Sequence, residues 1–498
     1  MRKRLLIGFV VAGLWAAEPR AQDAKTTLDA AAKALGAANL NSIQFSGRGS
    51  DYIFGQPYDP NSPWPRFNLP TFTTTIDYTT PALRDDRRRG QVQNPPLGGG
   101  TQPLAAEMRQ IWLLSGAYAW DLVGENAVPA APERDQRSAV DGRLAQIWMT
   151  PHGFIKAAMA GNATVTTETV RGAKKTMISV TTPNKAKFEG MLNEQNLVDR
   201  IETWVGNPIL GDMMIEAVFN DYKDFGGVKF PTRIRQRSGG YPLLDLTVTD
   251  VKPNAAAAIE VPAAIRQGKP APEPISPQKI SDGIWIVPGG AKSIVVEFRD
   301  HIMVIDAPAN EARSIAVIDA VKKTIPGKPI RYVLNTHLHY DHSGGLRTYA
   351  AEGATVITHR DNVPYYEQAW ANPRTINPDR LAKSGRKPVF EGVVGSRMMT
   401  DGSRDLFIYH YPGNMHNAGM LMVFLPKEKI LIEADSFSPP ANPNAPLNAV
   451  ANLVHWYEAV QRLNLDVEQI VPSHGNLTTL EEARKIMDLH QSTDVWTK

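Results

Sequence analysis

The sequence predicts an α/β protein of two domains, a β-rich (α+β) domain followed by a layered domain in which strand and helix patterns alternate. Three observations carry this reading. The chain has 498 residues, too many for one core at roughly 150 residues per domain. Ten of its eleven histidines lie beyond residue 300. Between the two regions, four prolines fall within Pro270–Pro277, which forbids helix and favours an extended connector. The boundaries that follow are a leader at 1–21, a β-rich accessory domain at 22–262, a proline-rich linker at 263–279 and the layered domain at 280–490.

Composition narrows the chemistry. With 42% hydrophobic and 21% charged residues, the chain has the make-up of an ordinary globular protein. It has no cysteine, which removes disulfides, thiolate nucleophiles, cysteine-bound zinc and iron–sulfur clusters together. Any metal must be held by His, Asp and Glu. The formal charge of +3 arises in the leader, where Arg2, Lys3, Arg4 and Arg20 outweigh Glu18, so the remainder is neutral and a nucleic-acid partner is not expected.

Arg2–Arg4 followed by the apolar run Leu5–Ala17 has the form of a secretory signal, too short to span a bilayer. Cleavage is expected after Ala21, although Pro19 sits unfavourably three positions before the cut. A periplasmic or secreted protein without stable membrane insertion after cleavage follows. Without a cysteine no lipid can be attached there.

The first domain opens with a helical stretch, Thr27–Ala38, then passes through loops at Phe54–Pro70 and Asn94–Pro103. Beyond Thr176, segments such as Met177–Val180, Ile215–Val218 and Leu244–Val248 alternate between turn signals at Gly226–Gly227 and Gly239–Gly240, which predicts an antiparallel meander. The stretch from Tyr222 to Asn254 resembles the half-barrel of bacterial lipoprotein-carrier-like domains, a resemblance that implies a surface for an apolar ligand. In the second domain, strands are expected at Ile284–Val287, Ser293–Phe298, Ile302–Asp306 and Tyr332–Leu334, with helices at Glu311–Lys323 and Ala449–Leu463.

The decisive segment is Asn335–Gly345, which places His337, His339, Asp341 and His342 directly after a strand. Spacing by two lets His337 and His339 face one way, while Asp341 and His342 address a second point. Gly344 and Gly345 are expected to let the chain turn sharply into the next helix. Further candidates, each just past a short apolar strand, are His416, Asp435 and His474, with Asp306 placed the same way. His359, His410, His455 and His490 are read as packing or surface residues, and Tyr340 as packing beside the loop.

The order His-x-His-x-Asp-His, then His, Asp and His, resembles the metallo-β-lactamase-fold superfamily of metallohydrolases over about residues 280 to 490. The resemblance implies an αββα sandwich. It implies a first metal site of His337, His339 and His416, a second of Asp341, His342 and His474, and Asp435 bridging both. Asp306 would support the metal loop. Two Zn2+ per chain are implied, with iron or manganese as alternatives.

The reaction implied is hydrolysis of an ester, thioester, lactone, phosphodiester or related bond of a small-molecule substrate by a metal-bridging hydroxide, with Asp341 as the catalytic carboxylate that orients it. The familiar β-lactamase subclasses carry Cys or Ser at the place of Asp435, which turns the resemblance toward glyoxalase, lactonase and phosphodiesterase branches. Ala434 stands where a glycine is common. The alternatives are a mononuclear-iron sulfur dioxygenase of the same fold and a non-catalytic metal-containing binding or carrier protein. Specificity is expected in the stretch Tyr365–Arg397, to which the sequence assigns no regular structure. Because every candidate ligand lies beyond the connector, the segment from about Ser276 onward is expected to bind its metals alone.

Overall fold

The computed structural model describes residues 24–93, 95–133, 135–170, 172–268, 274–444 and 447–491. The expected leader with its expected cleavage site and the start of the proline run lie outside these. Among the described residues no helix is long and apolar enough to cross a membrane.

Thirteen strands between Ser42 and Pro253 form one antiparallel sheet. The strand Ser42–Tyr52 lies between Arg66–Asp77 and Tyr241–Pro253, so the first and last strands of the sheet are neighbours. The meander expected after Thr176 is present. Along Gly211–Asp224, Met213, Ile215, Ala217 and Phe219 alternate into the core. Helix Ala24–Leu35 covers part of the sheet through Leu28, Ala31, Ala32 and Leu35, and ends at Gly36, whose φ of 70° stops the helical repeat.

Six strands between Ser42 and Pro129 exceed the sequence expectation, and Arg66–Asp77 begins inside a stretch read as loop. The reason is visible in Ala82–Gly90, whose inward positions are Leu83, Asp85, Arg87 and Arg89. Charged side chains on the inner face hide the alternation that marks a strand. There Arg87 pairs with Asp85 (Nε to Oδ1 2.9 Å), Arg89 with Asp51, and the Arg87 guanidinium lies 4.3 Å from the Trp112 ring. These groups line a cavity of about 410 Å3, whose other wall includes Phe45, Phe72 and Leu246.

The expected linker contains regular structure. Helix Ala263–Gln267 packs Ile265 against Ile111, Leu113 and Trp120 of the first sheet, and Gln278–Ser281 is already an edge strand of the second domain.

The second domain is an αββα sandwich. A seven-stranded sheet carries parallel strands Ile302–Ile305, Ile330–Leu334, Thr355–His359 and Phe390–Val393; a five-stranded sheet faces it. Ile305, Leu334 and Ile357 meet Leu421, Val423 and Ile432 between the sheets. The alternate residues Met420, Met422 and Phe424 face outward onto Leu453, Trp456 and Val460 of helix Val450–Arg462. On the opposite side Val304 and Val333 pack with Val317, Ile318 and Val321 of helix Glu311–Thr324. The central strands Ile302–Ile305, Leu421–Leu425 and Ile430–Glu433 are buried on both faces, which is why these segments are nearly unbroken apolar runs.

The stretch Tyr365–Arg397 is largely regular, with helices Asn362–Trp370 and Arg380–Ser384 and strand Phe390–Val393. It docks on the first domain. Arg374 donates to the carbonyls of Asn207 (2.9 Å) and Ile209 (2.8 Å), and Asp212 accepts from the Thr375 hydroxyl (2.7 Å).

Candidate metal centre

Strand Ile330–Leu334 delivers the segment Asn335–His342 to one end of the sandwich, where Tyr340–Ser343 makes a single helical turn. Buried polar side chains pin this segment. Asn335 accepts from the Tyr366 hydroxyl at 2.8 Å and donates to the His337 carbonyl. Asp306, at φ 60° and fully buried, accepts from the Thr336 N–H at 2.8 Å and from the Nδ1–H of His342 at 2.9 Å. Asp306 thus holds the loop and stands outside both ligand groups.

Gly344 and Gly345 serve a purpose other than the turn expected of them. Both have ordinary right-handed φ values, −60° and −101°. A Cβ at Gly344 would lie 1.8 Å from the Ala309 carbonyl oxygen, and one at Gly345 1.8 Å from the Ser314 hydroxyl. Close approach, rather than turning, excludes a side chain. Ala434 is buried without a left-handed φ, so the position accepts an alanine.

The second sheet supplies the rest. His416 lies in the turn before strand Leu421–Leu425, Asp435 follows Ile430–Glu433, and His474 follows Gln469–Pro472. The structure brings all seven candidates together in two groups whose ligand atoms lie within 4.8 Å of one another: His337, His339, His416 and Asp435, then Asp341, His342, Asp435 and His474. Asp435 belongs to both. Its Oδ2 lies 3.2 Å from Nε2 of His416 and 3.9 Å from Nε2 of His337, while Oδ1 lies 2.9 Å from Nε2 of His342 and 3.4 Å from Nε2 of His474.

The donor atoms fit a cation. His339 gives its Nε2–H to the Pro57 carbonyl at 2.9 Å, which turns Nδ1 inward. That Nδ1, and Nε2 of His337, are buried and make no hydrogen bond. An unpaired buried polar atom costs about 1–3 kcal/mol, a cost a bound cation removes. Electrostatics agree. Burial, reinforced by the neighbouring histidines, holds His337 well below the usual imidazole range, and burial brings His339 down to about 3, so both are neutral and able to ligate. Burial also opposes charge on His342, but Asp435 and Asp306 on either side outweigh it and raise its pKa well above normal. Burial acts to raise Asp435, yet His342 and His474 hold it well below the carboxylate range. A metal would displace the His342 proton and take over that stabilisation.

His359 packs against His410 with ring centroids 4.3 Å apart and the planes tilted by 49°, His490 donates to the Pro443 carbonyl, and His455 approaches Gly413; none of these joins a ligand group. Tyr340 packs edge-on against Phe54 at 5.4 Å and bonds the Tyr365 hydroxyl at 2.8 Å.

Two supports have no sequence signal. Lys292 donates to the Pro472 carbonyl at 3.0 Å and fixes the strand end that carries His474, whose Nδ1–H is held by the Gly290 carbonyl at 2.7 Å. The first domain also reaches the centre. Gln56 donates to Asp341 Oδ1 at 2.7 Å, and the Pro57 carbonyl holds both His339 and, at 3.0 Å, the Asn417 amide. All seven candidates thus lie in the second domain, and the first domain adds supports behind them.

Residues 286–491 match the model of the Metallo-beta-lactamase superfamily. Among curated proteins, the chain is 22% identical over 196 residues to the 2,4-dinitroanisole O-demethylase subunit alpha of Nocardioides sp. (strain JS1661), covering 38% of this chain and 55% of that protein. It thus spans about half the length of that relative. It is 21% identical over 202 residues to the metallo-beta-lactamase type 2 of Elizabethkingia meningoseptica, covering 40% and 74% respectively. Among solved structures, a metallo-beta-lactamase from Pontibacter korlensis aligns with a TM-score of 0.35 at 22% identity, over 44% of this chain and 99% of that one. The FIM-1 metallo-beta-lactamase of Pseudomonas aeruginosa in its mono-zinc form also gives 0.35, at 19% identity, over 45% and 97%.

Proposed function

We propose that the segment matching the metallo-beta-lactamase superfamily is a dinuclear zinc-dependent hydrolase acting on an ester, thioester, lactone, phosphodiester or related bond of a small molecule. The observation that carries the reading is Asp435, one carboxylate with one oxygen turned to a histidine trio and the other to a second group of ligands. Zinc bound there supplies Lewis acidity and lowers the pKa of water to about 7. His337, His339 and His416 would hold one ion, Asp341, His342 and His474 the other, and Asp435 would serve both groups. Asp341, fixed by Gln56, orients the attacking water and accepts its proton. Water adds across the scissile bond, its oxygen to the acyl or phosphoryl centre and a proton to the departing oxygen or sulfur.

The test is metal analysis of the purified chain with a panel of ester, thioester, lactone, phosphodiester and β-lactam substrates. Two zinc equivalents, and turnover abolished by chelation and restored by zinc, are expected. A single iron with dioxygen uptake would replace this reading with the sulfur dioxygenase, and metal without any turnover would replace it with a binding protein.

Two further parts of the reading concern the rest of the chain. Export rests on Arg2–Arg4 and Leu5–Ala17; the mature chain is expected to begin near Gln22 and to fractionate with the periplasm or medium. The first-domain cavity supports a ligand with an apolar body and a polar end, because Phe45, Phe72 and Leu246 share its wall with Arg87 and Gln110.

A further inference from the structure

One stretch of the first domain, Gly55–Tyr58, lies along both loops that carry the ligands. The Gly55 carbonyl accepts from the Tyr340 N–H at 3.1 Å, the Tyr58 carbonyl from the Ala418 N–H at 2.8 Å, and between them Gln56 and Pro57 hold Asp341 and His339. The stretch is itself backed by a second first-domain loop. Gly98 donates to the Met415 carbonyl at 2.8 Å, next to His416, and Gly99 donates to the Gln56 carbonyl at 3.1 Å. A Cβ at Gly99 would fall 1.9 Å from Gln56 Oε1 and 2.9 Å from Cε1 of His339, so only glycine lets this loop press on both. Gln56 is 3% exposed, its side chain enclosed between the two domains.

We propose that the first domain is a working part of the metal centre and that Gln56 is a positioning residue for Asp341, setting the affinity of the second metal group. The inference rests on the dinuclear reading above. Asp341 sits on a helical turn of only four residues, Tyr340–Ser343, which leaves its carboxylate two rotatable bonds. A buried amide donating to Oδ1 fixes the carboxylate plane and directs the other oxygen. The amide does so without adding charge, which a lysine or arginine would set against a dication. Metal affinity depends on such groups behind the ligands, and losing one typically weakens binding about 10- to 100-fold. Pro57 acts on the first group in parallel. Its carbonyl can only accept, so it selects the Nε2–H tautomer of His339 and leaves Nδ1 to the metal.

The experiment uses the full chain, stripped of metal and titrated with cobalt(II) against a chromophoric chelator, with the visible spectrum recorded at each equivalent. Gln56→Met keeps the length of the side chain and removes the donor. Gln56→Glu keeps the shape and sets a carboxylate against Asp341. The wild type is expected to take two cobalt ions. Both variants should keep the first, lose about 10- to 100-fold in affinity for the second, and change the spectrum of the second equivalent, with unfolding of the metal-free chain unchanged in Gln56→Met and eased in Gln56→Glu by repulsion between the two carboxylates. A soluble variant that takes two ions with wild-type affinity and spectrum overturns the positioning role. So does equal weakening of both ions together with a lowered unfolding midpoint, which would mean that Gln56 only joins the domains. If Gln56→Met does not fold, Gln56→Glu alone decides by the same readouts, and a misfolded Gln56→Glu shows a joining role and likewise overturns the proposal. A wild-type chain that takes fewer than two ions contradicts the dinuclear reading itself, a result distinct from any behaviour of the variants.

Discussion

Replacing Asp306 by Asn tests how the metal loop is held while changing a single atom. The left-handed φ of 60° at this position is tolerated by Asn as well as Asp, so the backbone should stay in place. Oδ1 is committed to the Thr336 N–H at 2.8 Å, and Oδ2 faces the Nδ1–H of His342 at 2.9 Å and the Ser473 hydroxyl at 3.3 Å. An asparagine that keeps its oxygen on Thr336 turns its NH2 toward His342, donor against donor. The imidazole must then move its proton to Nε2, the atom that faces Asp435 and His474. A flipped amide only transfers the conflict to Thr336. The lost interaction is a hydrogen bond to a charged group, about 1.5–3 kcal/mol. At about 1.4 kcal/mol per factor of ten, this is about 10- to 100-fold in affinity for the group containing His342. Zinc titration of the metal-free chain against a competing chelator should show one unchanged site and one weakened by that factor, with the urea midpoint of the zinc-loaded chain lowered. Two sites of unchanged affinity would refute the tautomer argument.

Asp435→Asn removes the carboxylate shared by both ligand groups; metal content should fall from two to one, and hydrolysis by at least about a hundredfold, the effect of losing about 3 kcal/mol. Retention of two metals with full turnover would remove the bridging role. His152 is buried and burial lowers its pKa to about 4, so the folded chain keeps it neutral while the unfolded chain protonates it near 6.5. Stability from this group is complete above about pH 6.5 and is lost as pH falls toward 4, roughly 3 kcal/mol in all. Urea midpoints at pH 7 and pH 5 should therefore differ less in His152→Gln than in the wild type, and equal differences would exclude the effect. The first-domain cavity should bind a naphthylamine probe with enhanced fluorescence, and Thr74→Phe, which places a ring in that space, should abolish it. Equal binding by both chains would place the probe elsewhere.

What the sequence revealed and what it hid follow from how information is distributed along it. Runs such as Ile284–Val287 and Ile302–Ile305 are buried on both faces and need no partner to be recognised. His337 to His342 crowd four ligating residues into one loop, and His416, Asp435 and His474 each follow a strand that announces itself. Strand Ala82–Gly90 does the reverse. Its inward Asp85, Arg87 and Arg89 are neutralised by one another and by Asp51 of the neighbouring sheet region, so a local window sees a polar loop. The segment between the helices Asn362–Trp370 and Arg380–Ser384 is held by the first-domain turn at Asn207–Asp212, a contact no local pattern encodes. Gln56 is harder still. It is a single amide in a loop, 285 positions from the carboxylate it holds, and only the folded chain shows it to be special.

That separation also sets a timetable. Ribosomes add about 5–20 residues per second. The thirteen-stranded sheet ends at Pro253 and can assemble while the rest of the chain is still being made. Its strap, Gly55–Tyr58, then waits for Asn417, 360 positions beyond Pro57, which at those rates is roughly twenty seconds to over a minute of synthesis. The last ligand, His474, emerges later still. Until Asp435 has been made neither ligand group is complete, and until His474 follows the second stays open. Loading of both ions therefore waits for nearly the whole chain, and a product cut short before Asp435, however well folded at its start, has no complete site in which to keep an ion.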